Sequence, residues 1–105
     1  MITVNGVEFE FDMYDYDTAQ RYESALVLLQ TRVADSQSLP DVIKESCESV
    51  FQFFDALFGE GAAEKVFNGK LNARVCTEAT AIVIDSASQQ AREYEALVSR
   101  YAPNA

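Results

Sequence analysis

Histidine is the usual general base near neutral pH, and this 105-residue chain has none. Its absence removes every Ser–His and Cys–His nucleophile pair and the commonest zinc ligand. The two cysteines, Cys47 and Cys76, stand far apart without a CxxC pair and fall short of the four ligands of a closed zinc site. They could bond to each other. Each, however, falls among apolar neighbours at helical spacing, Ile43 and Val50 around the first, Val75 and Ala79 around the second. That is the setting of small buried hydrophobes, and both read as reduced core thiols.

Carboxylates are the next candidates. Asp12, Asp15 and Asp17 form the densest group and offer hard oxygen ligands. A calcium loop also needs a central glycine and a distal bidentate glutamate, and neither stands at the required place. The group reads instead as a solvated turn whose acids favour the positive end of the helix that follows. Gly59, Gly61 and Gly69 suggest a phosphate cradle only until the spacing is checked. Glu64 stands where a P-loop needs glycine, and Leu71 follows Lys70 where Ser or Thr is required. These glycines are turn formers, and the chain is expected to be no enzyme and to need no cofactor or metal.

Binding chemistry is better represented. Lys65, Lys70 and Arg74 are three of only eight basic residues and gather within ten positions, a small positive spot that an acidic partner segment could use. The remaining balance, 17 acidic side chains and a net charge of -9, argues against nucleic acid and an anionic membrane surface as direct partners. The densest apolar run, Ala25 to Leu29, is far below the roughly 20 residues of a bilayer crossing. The opening Met-Ile-Thr-Val-Asn-Gly lacks the basic and apolar regions of a secretory leader and reads as folded structure.

The elements that position these residues follow from turn and cap chemistry. With 49% hydrophobic residues the chain can bury a core of its own, and residues 1–105 read as one domain. Asn5-Gly6 best tolerates the two positive φ angles of a type I′ turn and predicts a β-hairpin over residues 1–12. A two-residue turn pairs Val4 with Val7 and Ile2 with Phe9, so Ile2, Val4, Val7, Phe9 and Phe11 share one face. An isolated hairpin is marginal, so that face must close over helices.

Asp17, with Gln20 three residues on, has the spacing of a helix cap, and a first helix is expected over 18–35 with Tyr22, Ala25, Leu26, Leu29 and Val33 on its apolar side. Tyr14 and Tyr16 flank the corner before it and read as packing residues. Pro40 suits a helix's first turn and Gly59 a helix's end, predicting a second helix over 41–58. Its aromatic face, Ile43, Cys47, Val50, Phe51, Phe54, Leu57 and Phe58, is the expected centre of the core and also the expected docking face through Phe51, Phe54 and Phe58. A short helix over 62–67 lies between two bends.

Asn72 caps a last helix over 73–101 with Val75, Ala79, Ile82, Val83, Ala87, Tyr94, Leu97 and Tyr101 on or near one stripe. At 1.5 Å per residue that helix is roughly 43 Å long. A compact domain of this size is only about 26 Å across, so the helix must either project or kink around Asp85 to Ser88. Tyr94, Leu97, Val98 and Tyr101 on a projecting end are the second set of expected protein-binding residues. The class expected is mainly α with an N-terminal β-hairpin, a helical bundle with a long C-terminal helix.

The segment Phe53-Phe54-Asp55-Ala56-Leu57-Phe58-Gly59-Glu60-Gly61-Ala62-Ala63-Glu64-Lys65-Val66-Phe67-Asn68-Gly69-Lys70, followed by Asn72 and Val75-Cys76, resembles small phage and prophage tail-morphogenesis proteins of Gram-positive hosts. Ile2-Thr3-Val4-Asn5-Gly6 and Phe9-Glu10-Phe11-Asp12 are similar too. The resemblance implies a tail assembly chaperone: an acidic, helical, homo-oligomeric protein of the host cytoplasm that coats the tape measure protein before the tail tube polymerises and is absent from the finished virion. The competing expectation is a structural, ring-forming tail or head-completion protein that remains in the particle.

Overall fold

A computed structural model describes residues 1–29 and 38–101. Strands β1 (Ile2–Val4) and β2 (Val7–Phe9) form the antiparallel hairpin, paired Ile2 with Phe9, Thr3 with Glu8 and Val4 with Val7. Asn5 and Gly6 take φ 51° and 83°, the left-handed conformations that a type I′ turn demands. Ile2, Val4 and Phe11 are buried and Val7 and Phe9 half-buried, so the expected face is the one that closes on the body. The turn is also pinned through its side chain: Asn5 Nδ2 donates to the Val66 carbonyl at 2.6 Å.

The first helix, α1 (Tyr16–Leu26), starts two residues before the expected position, because Asp15 rather than Asp17 is its cap. Asp15 Oδ2 accepts from the Thr18 N–H and from the Thr18 hydroxyl, both at 3.1 Å, and Asp17 falls in the first turn, where its charge meets the positive helix end. After Leu26 the backbone tightens into a 3₁₀ turn, Val27–Leu29. Tyr22 and Ala25 are buried and Leu26 and Leu29 half-buried, as the periodicity requires. The rest of the expected helix, with Val33, lies outside the described residues.

α2 (Leu39–Phe58) carries Pro40 in its first turn and ends at Gly59, φ 108°. It is the centre of the molecule, packing on α1, on α3 (Ala62–Phe67) and on α4 (Ala73–Tyr101). One apolar stripe does not suffice for this. Phe53, off the expected stripe, is fully buried with its ring 6.4 Å from that of Tyr22 on α1. Helix α2 is therefore apolar on two sides, one for α1 and one for α3 and α4. All seven phenylalanines join Tyr22 in one connected set of ring contacts, from Phe9 stacked on Phe58 at 4.3 Å to Phe51 beside Phe67 at 5.0 Å.

Because Gly61 offers no side chain at the start of α3, Asp55 of α2 supplies the cap across the turn, its Oδ1 accepting from the Ala63 N–H at 2.9 Å. α4 begins where Asn72 Oδ1 accepts from the N–H groups of Arg74 and Val75, at 3.0 and 3.1 Å. The helix runs unbroken through residues 85–88, so the projecting form is the one adopted. Its buried residues, Cys76, Ala79, Val83 and Ala87, all lie in the first half; Ile82, expected beside them, is exposed because it sits about 100° round the helix from Val83. The radius of gyration is 15.8 Å and the longest extent 53 Å, against about 13 Å for the radius of a compact chain of this length.

Candidate functional site

The aromatic face of α2 is the first place to look for a docking surface, and the fold has used it. Phe54 is fully buried. Phe58 is half-buried, stacked on Phe9 and edge-on to Phe11, and Phe51 is half-buried against Phe67. Phe54 thus corrects the expectation of an accessible Phe51, Phe54, Phe58 patch: the hairpin and α3 bring their own rings to this face and seal it.

Lys65 near the end of α3, Lys70 in the following turn and Arg74 in the first turn of α4 are all exposed and make no ion pair among the described residues. Arg74 stands at the positive end of its own helix, where a cation is unfavourable, so its charge is stabilised by solvent or a ligand rather than by the fold.

The end of α4 is different in kind. Near the end of its packed half stands Gln90, whose side-chain amide acts as a clamp on the segment leaving the hairpin. Oε1 accepts from the Met13 N–H at 2.7 Å, and Nε2 donates to the Phe11 carbonyl at 2.9 Å and to the Ser86 hydroxyl at 3.1 Å. One turn further on, Tyr94 meets Tyr14 edge-on, 5.6 Å between ring centres. Tyr16, expected to pack at the same corner, is exposed. Beyond that contact the helix continues for two turns with Tyr94, Leu97 and Tyr101 exposed by 49%, 44% and 67% and Val98 half-buried. Residues 94, 97 and 101 fall on one face, an i, i+3, i+7 set.

Gln90 was invisible to periodicity, since a glutamine near an apolar stripe reads as a surface residue. Its clue was position: it stands on the stripe between Ala87 and Tyr94.

Hollows flank α4 on several sides. A polar one of about 510 Å³ lies between Asp12, Tyr14, Gln89 and Glu93. An apolar one of about 300 Å³ is lined by Leu29, Val50, Thr77, Thr80, Ala81 and Ile84. Asp12 and Asp15 act as backbone caps, Asp12 Oδ1 accepting from the Tyr14 N–H at 3.0 Å. Among the described residues no three or more His, Cys, Asp or Glu side chains are grouped to hold a metal ion, and no helix is long and apolar enough to cross a membrane. Burial pushes the Tyr22 phenol upward. Burial, and then contact with Cys47, pushes the Cys76 thiol up to about 12.

Together the fold and the surface define a small helical protein, lidded by a hairpin, with one helix end left exposed by the other described residues. Residues 5–105 match a family of unknown function (DUF6673), and the chain belongs to that family. No curated protein and no solved structure matches the chain.

Proposed function

We propose that this protein is a non-catalytic phage tail assembly chaperone that binds apolar helical stretches of the tape measure protein through the free end of α4. The observation that carries the reading is the exposed Leu97 and Tyr101 pair, continuing at helical spacing from Tyr94, whose ring keeps half its surface exposed beside Tyr14. A helix presenting such anchors pairs with another amphipathic helix by burying both stripes, and aromatic residues at the centre of an interface supply most of its energy. The exposed Lys65, Lys70 and Arg74 give acidic flanks of a client a second point of attachment. Several copies acting along one long client, in the cytoplasm of the bacterial host, complete the reading.

The test is co-expression with the tape measure protein of the same tail. The expected result is a soluble complex that Leu97→Glu or Tyr101→Glu abolishes while the melting temperature stays unchanged. A tape measure protein that remains insoluble and unbound overturns the reading. So does finding this chain by mass spectrometry in purified virions, where a structural ring subunit belongs and a chaperone does not.

A further inference from the structure

Besides the projecting end of α4 the molecule carries a second apolar surface, and this one is concave. It is the hollow of about 300 Å³ that Leu29, Val50, Ala81 and Ile84 line, with Thr77 and Thr80 completing its α4 wall. The Thr80 hydroxyl donates to the Cys76 carbonyl at 2.8 Å, so its hydrogen is satisfied within the helix. Thr77 and Ala81 are exposed and Leu29 and Ile84 half-buried, so the described residues leave the hollow open.

Projection and hollow match in length and in charge. Tyr94 to Tyr101 and Thr77 to Ile84 each advance seven residues along a helix, about 10 Å. Arg74, three residues before Thr77, stands exposed at one end of the hollow, and the exposed Asp85 follows Ile84 at the other. The projecting end carries the opposite signs in the same order: Glu93 and Glu95 flank Tyr94, and Arg100 precedes Tyr101. Arg92 lies on the opposite side of the helix from Tyr101 and stays clear of the stripe. A copy cannot fill its own hollow, because both surfaces lie on one unbroken helix.

We propose that the end of α4 of one copy seats in the hollow of a second copy, parallel to that copy's α4, so that the chain associates head to tail. Tyr94, Leu97 and Tyr101 cover the apolar wall, Glu93 and Glu95 meet Arg74, and Arg100 reaches toward Asp85. Two α4 ends laid against each other would leave both the hollow and Arg74 unused. A contact between two different surfaces leaves one end and one hollow free on every open assembly, so it repeats until a ring closes. It needs only this chain and holds independently of the tape measure reading; where both hold, a client competes with the next copy for the same helix end.

The experiment measures the mass of the full-length chain, without client, by sedimentation equilibrium over a wide concentration range. The average mass is expected to rise above that of the monomer with concentration. Ala81→Glu and Leu97→Glu, both at exposed positions, should each stay monomeric with an unchanged circular dichroism melt. Their equimolar mixture should form a dimer, since one variant keeps an intact end and the other an intact hollow. Thr77→Glu, a second exposed position in the wall, should behave as Ala81→Glu does, and Arg74→Glu should weaken association about tenfold. A chain that is monomeric at every concentration overturns the proposal. So do hollow variants that associate as well as the unsubstituted chain, which is the mark of end-to-end pairing, a mixture that stays monomeric, or an Arg74→Glu chain that associates undiminished.

Discussion

The two halves of α4 carry the same apolar spacing and have opposite fates. Cys76, Ala79, Val83 and Ala87 step along the helix by three, four and four residues and are covered; Tyr94, Leu97 and Tyr101 step by three and four and are not. What differs is the presence of a body to pack against, which ends at the Gln90 clamp and the Tyr14–Tyr94 contact. The covered residues are also small, as close packing of α4 on α2 requires, whereas the uncovered ones are large, and two of the three are tyrosines, a type that anchors interfaces. A hydrophobic stripe thus states that burial is needed but not whether the burying surface belongs to the same chain.

Breaking the covered half should cost the most. Phe53→Ala empties a fully buried ring site and should lower the free energy of unfolding by about 3–5 kcal/mol in urea titration. Val83→Ala, which removes less volume from a fully covered site, should lie below it in the same series.

At the boundary between the halves, Gln90→Ala strips partners from the Met13 N–H and the Phe11 carbonyl and should cost about 1–3 kcal/mol. Hydrogen exchange at the Met13 amide should accelerate in that variant more than exchange in α2. Asn5→Ala should cost about 1–2 kcal/mol, because it loses the bond to the Val66 carbonyl and places a Cβ-bearing residue without a compensating side chain at φ 51°.

Ionisation separates the halves by pH. Folding holds the Cys76 thiol neutral by raising its pKa from 9.0 to about 12, so its contribution is complete below pH 9 and is lost as pH rises toward 12. Tyr22, raised by burial, acts in the same direction. The melting temperature should therefore fall across that alkaline interval, and fall less in Cys76→Ala.

The smallest expected effect on stability is the sharpest test of the contrast. Leu97→Ala and Tyr101→Ala should change the unfolding free energy by less than about 0.5 kcal/mol while weakening client binding at least tenfold by titration calorimetry. A loss of stability at Leu97 comparable to that at Phe53 would mean that the end of α4 is part of the core.

Much of this fold was legible in local chemistry. Asn5-Gly6 set the hairpin register, Asn72 the start of α4 and Gly59 the end of α2, because each acts within a few residues of itself. The Asp15 cap was misassigned by two residues because Asp15 and Asp17 both satisfy the local pattern, and only the bonds to Thr18 choose between them. Phe53 and Asp55 were illegible for another reason: the burial of one depends on α1 and the bond of the other on α3, elements brought to α2 by the fold. In the candidate site, Tyr94, Leu97, Val98 and Tyr101 were readable as a stripe, whereas Gln90 and the sealing of Phe54 were not.

By itself, then, the sequence determined the hairpin turn, the Asn72 cap, the ends of the last three helices to within about two residues and the alternation of apolar and polar positions, all consequences of interactions within about one helical turn. Only the tertiary structure decided which of two equivalent stripes on α4 became core, which face of α2 received α1, and that Cys47 and Cys76 are buried in one cluster. Burial depends on what surrounds a residue in space, and that depends on every element at once.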